Sequence, residues 1–243
     1  MFRLTGLGLV AALALTACGG GGGGNTATPT VANASAEGFW SGISSTGPTV
    51  QLAILENGET WGFYTTGSTL VGALYGTTSS SGSSISGTGQ DFNFVSRAVS
   101  AGTYSGSVSA KSSLTVTTSS GTKFNGSYGT AYDQAASLAN LAGSYSGFGV
   151  TGKTAAQSTP VTISSNGTIT SNGVGCAATG TASPRASGKN IFDVSINFSG
   201  SACALGSGTV TKGIAYFDAG TRQLLAMALN PTKSDGFIYL GSR

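Results

Sequence analysis

The stretch Gly147-Phe148-Gly149-Val150-Thr151-Gly152-Lys153-Thr154 matches the phosphate-binding pattern G-x-x-x-x-G-K-[ST] in full, and its glycines also satisfy G-x-G-x-x-G. Such a loop cradles phosphate oxygens only when a strand leads into it and a helix leaves it, so that backbone N–H groups converge on the anion. Here Ala155-Ala156-Gln157-Ser158-Thr159-Pro160 follows, a short polar loop running into Val161-Thr162-Ile163. The context fails, and we read the match as chance in a chain rich in Gly, Ser and Thr. Other catalytic chemistry is poorly supplied. The chain has no histidine, which removes Ser-His-Asp and Cys-His triads and His-ligated zinc. Glu56 and Glu59 flank an Asn57-Gly58 turn and could form a carboxylate pair, but a hairpin tip offers little desolvation to raise either pKa. They read as solvated turn residues. No enzyme is expected, no cofactor or metal is implied, and no catalytic or ligand-binding residues can be assigned.

Three cysteines remain to be placed. Cys18 ends the stretch Leu15-Thr16-Ala17-Cys18, which follows Arg3 and a short apolar run from Leu7 to Leu15. That run falls well short of the roughly 20 residues that span a bilayer, and it reads as the core of an export signal. The stretch resembles the lipobox of bacterial lipoprotein precursors. The resemblance implies cleavage before Cys18 and acylation of its thiol and new N-terminus, for which several acyl chains give stable anchoring. An ordinary secretory peptide cut after Ala17 is the alternative. Gly19 in place of Asp at the next position implies, by the same resemblance, the outer membrane. With Cys18 assigned to lipid, Cys176 and Cys203 form an even pair in an exported chain and read as a disulfide.

Residues 19 to 36, six glycines and then a polar Thr/Ala/Asn stretch, read as a tether with an r.m.s. reach on the order of 20–25 Å. The 243-residue chain as a whole is 8% charged, with a thin net charge of +3 and 40 glycines. No basic patch suggests nucleic acid. The pattern is instead many short alternating segments joined by turn residues. Glu37-Gly38-Phe39-Trp40-Ser41-Gly42 returns as Leu141-Ala142-Gly143-Ser144-Tyr145-Ser146-Gly147, and each is followed by a hairpin built on Asn57-Gly58 or Asn166-Gly167. Asn-Gly favours a type I′ turn.

This weak duplication gives eight strand-like segments per half. Phe192-Asp193-Val194-Ser195-Ile196-Asn197-Phe198 shows the clearest period of two. Most segments are shorter than the about 9–11 residues of a membrane-crossing strand, which argues against a porin. Because closure removes exposed edges, the expected fold is all-β, an antiparallel meander of two tandem eight-stranded barrels. One larger sandwich or barrel is the alternative. The expected division is a signal peptide over 1–17, lipidated Cys18 and tether over 18–36, barrels over 37–133 and 143–243, and a short helical linker over 134–142. Asp133 is the expected helix cap. Trp40, Trp61, Phe92, Phe94, Phe192 and Phe198 read as core aromatics, with lining of a ligand cavity as the alternative.

The lipobox, glycine tether and Gly/Ser/Thr-rich β body resemble Gram-negative surface lipoproteins, including transferrin-binding-protein-B-like and factor-H-binding barrels. The long tether and the polar strand faces lead us to expect an outer-membrane-anchored binding or adhesion module that presents barrel loops to a macromolecular partner. A periplasm-facing carrier holding a hydrophobic ligand inside a barrel is the alternative.

Overall fold

A computed structural model describes residues 35–243. The expected signal peptide, Cys18 and all but the last two residues of the expected tether lie outside this range. Sixteen strands follow in chain order. The first eight are β1 (Gly38–Ser44), β2 (Thr49–Ile54), β3 (Glu59–Thr66), β4 (Thr69–Ser81), β5 (Ser84–Asn93), β6 (Ala98–Ser109), β7 (Ser113–Thr118) and β8 (Lys123–Gly129). The second eight are β9 (Gly143–Thr151), β10 (Gln157–Ile163), β11 (Thr168–Gly173), β12 (Cys176–Pro184), β13 (Phe192–Ser199), β14 (Val210–Asp218), β15 (Gln223–Leu229) and β16 (Gly236–Ser242). Each set pairs antiparallel with its sequence neighbours and closes on itself, β1 on β8 and β9 on β16, to give two eight-stranded barrels. The expected architecture is therefore present. The strands β4, β5 and β6 run to 13, 10 and 12 residues, longer than β1 to β3. The polar run Thr77–Ser81 offers no apolar contrast by which its strand could be read from sequence.

The duplication is structural as well as verbal. Trp40 and Tyr145 occupy equivalent places, both almost wholly buried, and each donates to a carbonyl four residues back: Trp40 Nε1 to Ala36 at 2.8 Å, Tyr145 Oη to Leu141 at 2.5 Å. Each closing seam pairs two glycines, Gly42 with Gly126 and Gly147 with Gly241. A Cβ on Gly42 would sit 1.9 Å from the Asn125 carbonyl oxygen, and one on Gly147 would sit 2.1 Å from that of Leu240. The two barrels close only because these positions carry no side chain. Both Asn-Gly turns are also alike, but only the glycine has positive φ, 87° at Gly58 and 85° at Gly167. Gly58 N–H bonds the Leu55 carbonyl, Gly167 N–H bonds that of Ser164, and each Asn Oδ1 accepts the amide two residues on. This is a type I turn closed by a glycine bulge rather than type I′, because the extra turn residue lets Asn stay at negative φ.

Both interiors are filled. The first holds Trp40, Ile54, Ile85, Val108, Leu114 and Phe124. Its polar members are internally satisfied, Thr60 Oγ1 to Thr78 Oγ1 at 2.5 Å, Thr78 Oγ1 to Tyr104 Oη at 2.6 Å, and Tyr64 Oη donating to Asp91 at 2.8 Å. Desolvation raises the Asp91 pKa, with the Tyr64 hydrogen bond opposing it. The second interior holds Tyr145, Ile163, Ile169, Phe192, Val194, Ile196, Phe217 and Tyr239. A third buried cluster lies between the barrels, where Ala53, Trp61, Phe63, Tyr75 and Phe92 on the outer face of the first meet Ile214, Met227 and Ile238 on the outer face of the second. Hence β15 is apolar on both faces: Leu224 and Ala228 point into the barrel while Met227 faces its neighbour.

Between β8 and β9 the chain makes a 3-10 turn, Thr130–Asp133, and a four-residue α-turn, α1 (Leu138–Leu141). The helical linker expected over 134–142 is thus reduced to the single turn Leu138–Leu141. Asp133 does not cap it: Ser137 stands at the N-cap without a side-chain bond. The Asp133 carboxylate is engaged elsewhere, accepting from Lys189 Nζ at 2.8 Å, Lys111 Nζ at 2.9 Å and Tyr128 Oη at 3.0 Å. These contacts pin the linker to both barrels. The Cys176–Cys203 disulfide is formed, S–S 2.01 Å, and joins the start of β12 to the loop between β13 and β14.

Candidate functional site

The phosphate-loop match is spent on internal structure. Gly147 to Thr151 belong to β9, and the chain turns directly into β10. Gly152 N–H donates to Asp235 Oδ1 at 3.0 Å, while Lys153 N–H and Thr154 N–H donate to Thr151 Oγ1 at 3.2 and 3.1 Å. The amides that would hold a phosphate already have acceptors, and a carboxylate stands where the anion would sit. Lys153 Nζ faces that carboxylate at 3.8 Å.

The carboxylates Glu56 and Glu59 are not simply solvated. Arg185, from the loop after β12, reaches across from the second barrel and places Nε 2.8 Å from Glu56 Oε1 and Nη1 2.5 Å from Asp193 Oδ1. Its Nη2 lies 4.0 Å from Glu59 Oε2. Burial alone would lower the guanidinium pKa, but the hydrogen bonds it donates to Asp193 and Glu56 raise it above its usual value. Sequence reading missed this bridge because its partners lie 129 residues apart. The available signal was Arg185 itself, one of five arginines in a chain with few charges.

Besides a narrow cleft of about 20 Å³ beside Phe92 and Phe237, two roomier clefts open along the seam between the barrels. One, about 170 Å³, is walled by Phe39, Trp61, Phe63, Tyr216 and Met227. The other, about 330 Å³, is lined by Glu59, Arg185, Asp193 and Lys212 with hydroxyls from Thr181, Ser183 and Ser195. Trp61 borders both, and its indole Nε1–H is buried without an acceptor. Of the aromatics read from sequence, Trp40 and Phe192 fill barrel interiors, Trp61 and Phe92 belong to the seam, and Phe94 and Phe198 pack half-buried at its edge and in the second barrel.

The Asp133 bridge makes a pH prediction. Hydrogen bonds from Lys189 and then Lys111 hold its carboxyl down at about 2. A carboxyl depressed from its unfolded value near ~3.9 stabilises the fold above that value and loses the contribution as pH falls towards 2. The stability difference between the native chain and Asp133→Asn, measured by urea unfolding, should be constant above pH of about 4 and shrink between about 4 and 2. A difference independent of pH over that interval would contradict the bridge.

Compared with known proteins, the chain matches no family model, no curated protein and no solved structure.

Proposed function

We propose that the chain is an outer-membrane lipoprotein, acylated at Cys18, whose double barrel is a non-catalytic binding module for a macromolecular partner. The observation that carries this reading is the filling of both barrels. Side chains from every wall meet inside each, so recognition falls to the outer faces, the seam and the hairpin tips. Those tips display apolar side chains to solvent: Val95 and Val99 at the β5–β6 hairpin are 75% and 50% exposed, and Val174 at the β11–β12 hairpin is fully exposed. The two-barrel body is consistent with the transferrin-binding-protein-B-like resemblance, and the lipobox supports the anchor.

The rival reading, a carrier with a lipid inside a barrel, is tested by native mass spectrometry of the full chain purified in mild detergent. The expected mass is that of the processed polypeptide plus the acyl groups on Cys18. A further lipid bound in stoichiometric amount would overturn the binding-module reading in favour of the carrier.

A further inference from the structure

We propose that one end of the double barrel docks on an anionic lipid surface. The two barrels lie with like ends together. At one end, the lower, Arg185 meets Glu56 and Lys189 meets Asp133; at the other, the upper, Arg97 Nη1 donates to the Lys153 carbonyl at 2.8 Å. Both β1 and β9 start at the lower end, and β8 and β16 finish there. Exposed apolar side chains gather at the upper end. Val95 and Val174 stand in the β5–β6 and β11–β12 turns, 75% exposed and fully exposed, and Ile43, Val99 and Val210 lie within two residues of strand ends there. Of the large apolar side chains exposed among the described residues, Phe148, partway along β9, alone departs from this pattern.

Charge divides the same way. Arg97, Lys123, Lys153 and Lys233 are exposed at the upper end. Six of the eight carboxylates, Glu37, Glu56, Glu59, Asp133, Asp193 and Asp218, belong to the lower end. The two above are engaged. Half-buried Asp91 accepts from Tyr64 Oη at 2.8 Å, and Asp235, 7% exposed, accepts from Gly152 N–H with Lys153 Nζ 3.8 Å away. The upper end is therefore a rim with an excess of cations, set with apolar tips. An acidic polymer would pair with the cations and leave the valines wet. A folded protein partner buries a contiguous apolar core, whereas these side chains stand on separate turns and strand ends of two barrels. A bilayer interface needs no contiguous patch. Each apolar tip enters the headgroup–acyl boundary on its own while the cations meet lipid phosphates. Docking of this kind leaves the seam free and does not depend on the binding-module reading.

The test is co-sedimentation of the full chain carrying Cys18→Ser, so that no acyl group contributes, with vesicles of phosphatidylcholine alone or mixed with phosphatidylglycerol. The apolar N-terminal run is common to every variant and sets the baseline on phosphatidylcholine. Binding to the anionic vesicles should exceed that baseline and fall with added salt. Arg97→Asn and Lys123→Ser should each weaken it about fivefold. Val95→Asp and Val174→Asp, at exposed turn positions that leave the cores untouched, should each weaken it about tenfold. Arg222→Asn removes an exposed cation from the β14–β15 turn of the lower end and should leave binding unchanged. Anionic vesicles bound no better than the baseline, binding indifferent to the two valine changes, or an equal loss with Arg222→Asn would overturn the proposal. A chain that ignores the vesicles but is retained on polyglutamate would give this end to an acidic polymer and overturn it as well.

Discussion

Replacing Trp40 with Ala is expected to cost about 3–5 kcal/mol, enough to unfold a marginal domain. The side chain is 1% exposed, belongs to the core of the first barrel, and packs edge-on against Tyr128 at 5.3 Å between ring centroids. Truncation removes that contact, leaves a cavity in a closed sheet that cannot collapse without opening β1 from β8, and orphans the Ala36 carbonyl. A urea midpoint shifted by less than about 1 kcal/mol equivalent would contradict the packing. The matched change Tyr145→Ala in the second barrel should behave alike. Tyr145→Phe, which keeps the ring and loses only the bond to Leu141, should cost about 1 kcal/mol.

Ile238→Asp is expected to be as damaging for a different reason. Ile238 is 2% exposed and lies in the seam cluster with Trp61, Phe92 and Met227. A carboxylate there is too short to reach water, and an unpaired buried charge costs about 3–5 kcal/mol. Because the substitution lies outside both barrel interiors, its effect reports the seam itself. Limited proteolysis should show cleavage in the linker around Gln134–Ser137 that the native chain resists. The control is Ile43→Asp, on an outer position 65% exposed, which should fall within about 0.5 kcal/mol of native. Equal behaviour of the two variants would mean that the barrels do not depend on their mutual packing.

The strands and their closure were legible because the signals are local. Gly58 and Gly167 mark turns, Phe192 to Phe198 alternate, and each half repeats the Gly-x-aromatic opening that ends in Trp40 or Tyr145. The disulfide was legible by counting. The seam was not. The run Leu224 to Leu229 announces a strand buried on both faces, yet nothing local says that Met227 meets Trp61. Nor could the Glu56-Asn57-Gly58-Glu59 tip reveal that Arg185 covers it, since that contact exists only after both barrels have closed and docked. Asp133 misled for a related reason: a cap and a long-range ion bridge look identical in one dimension. Local pattern therefore fixed what each barrel is, while the candidate site belongs to the tertiary apposition of the two.

The proposed binding module would stand outside a membrane, held by a lipid at Cys18. Brief protease treatment of intact cells tests this most directly. The predicted result is cleavage within the glycine-rich tether of residues 19–36 and release of a protease-resistant body carrying both barrels, with Cys18→Ser chain absent from the cell envelope before any protease is added. A chain fully protected until the outer membrane is broken would contradict it.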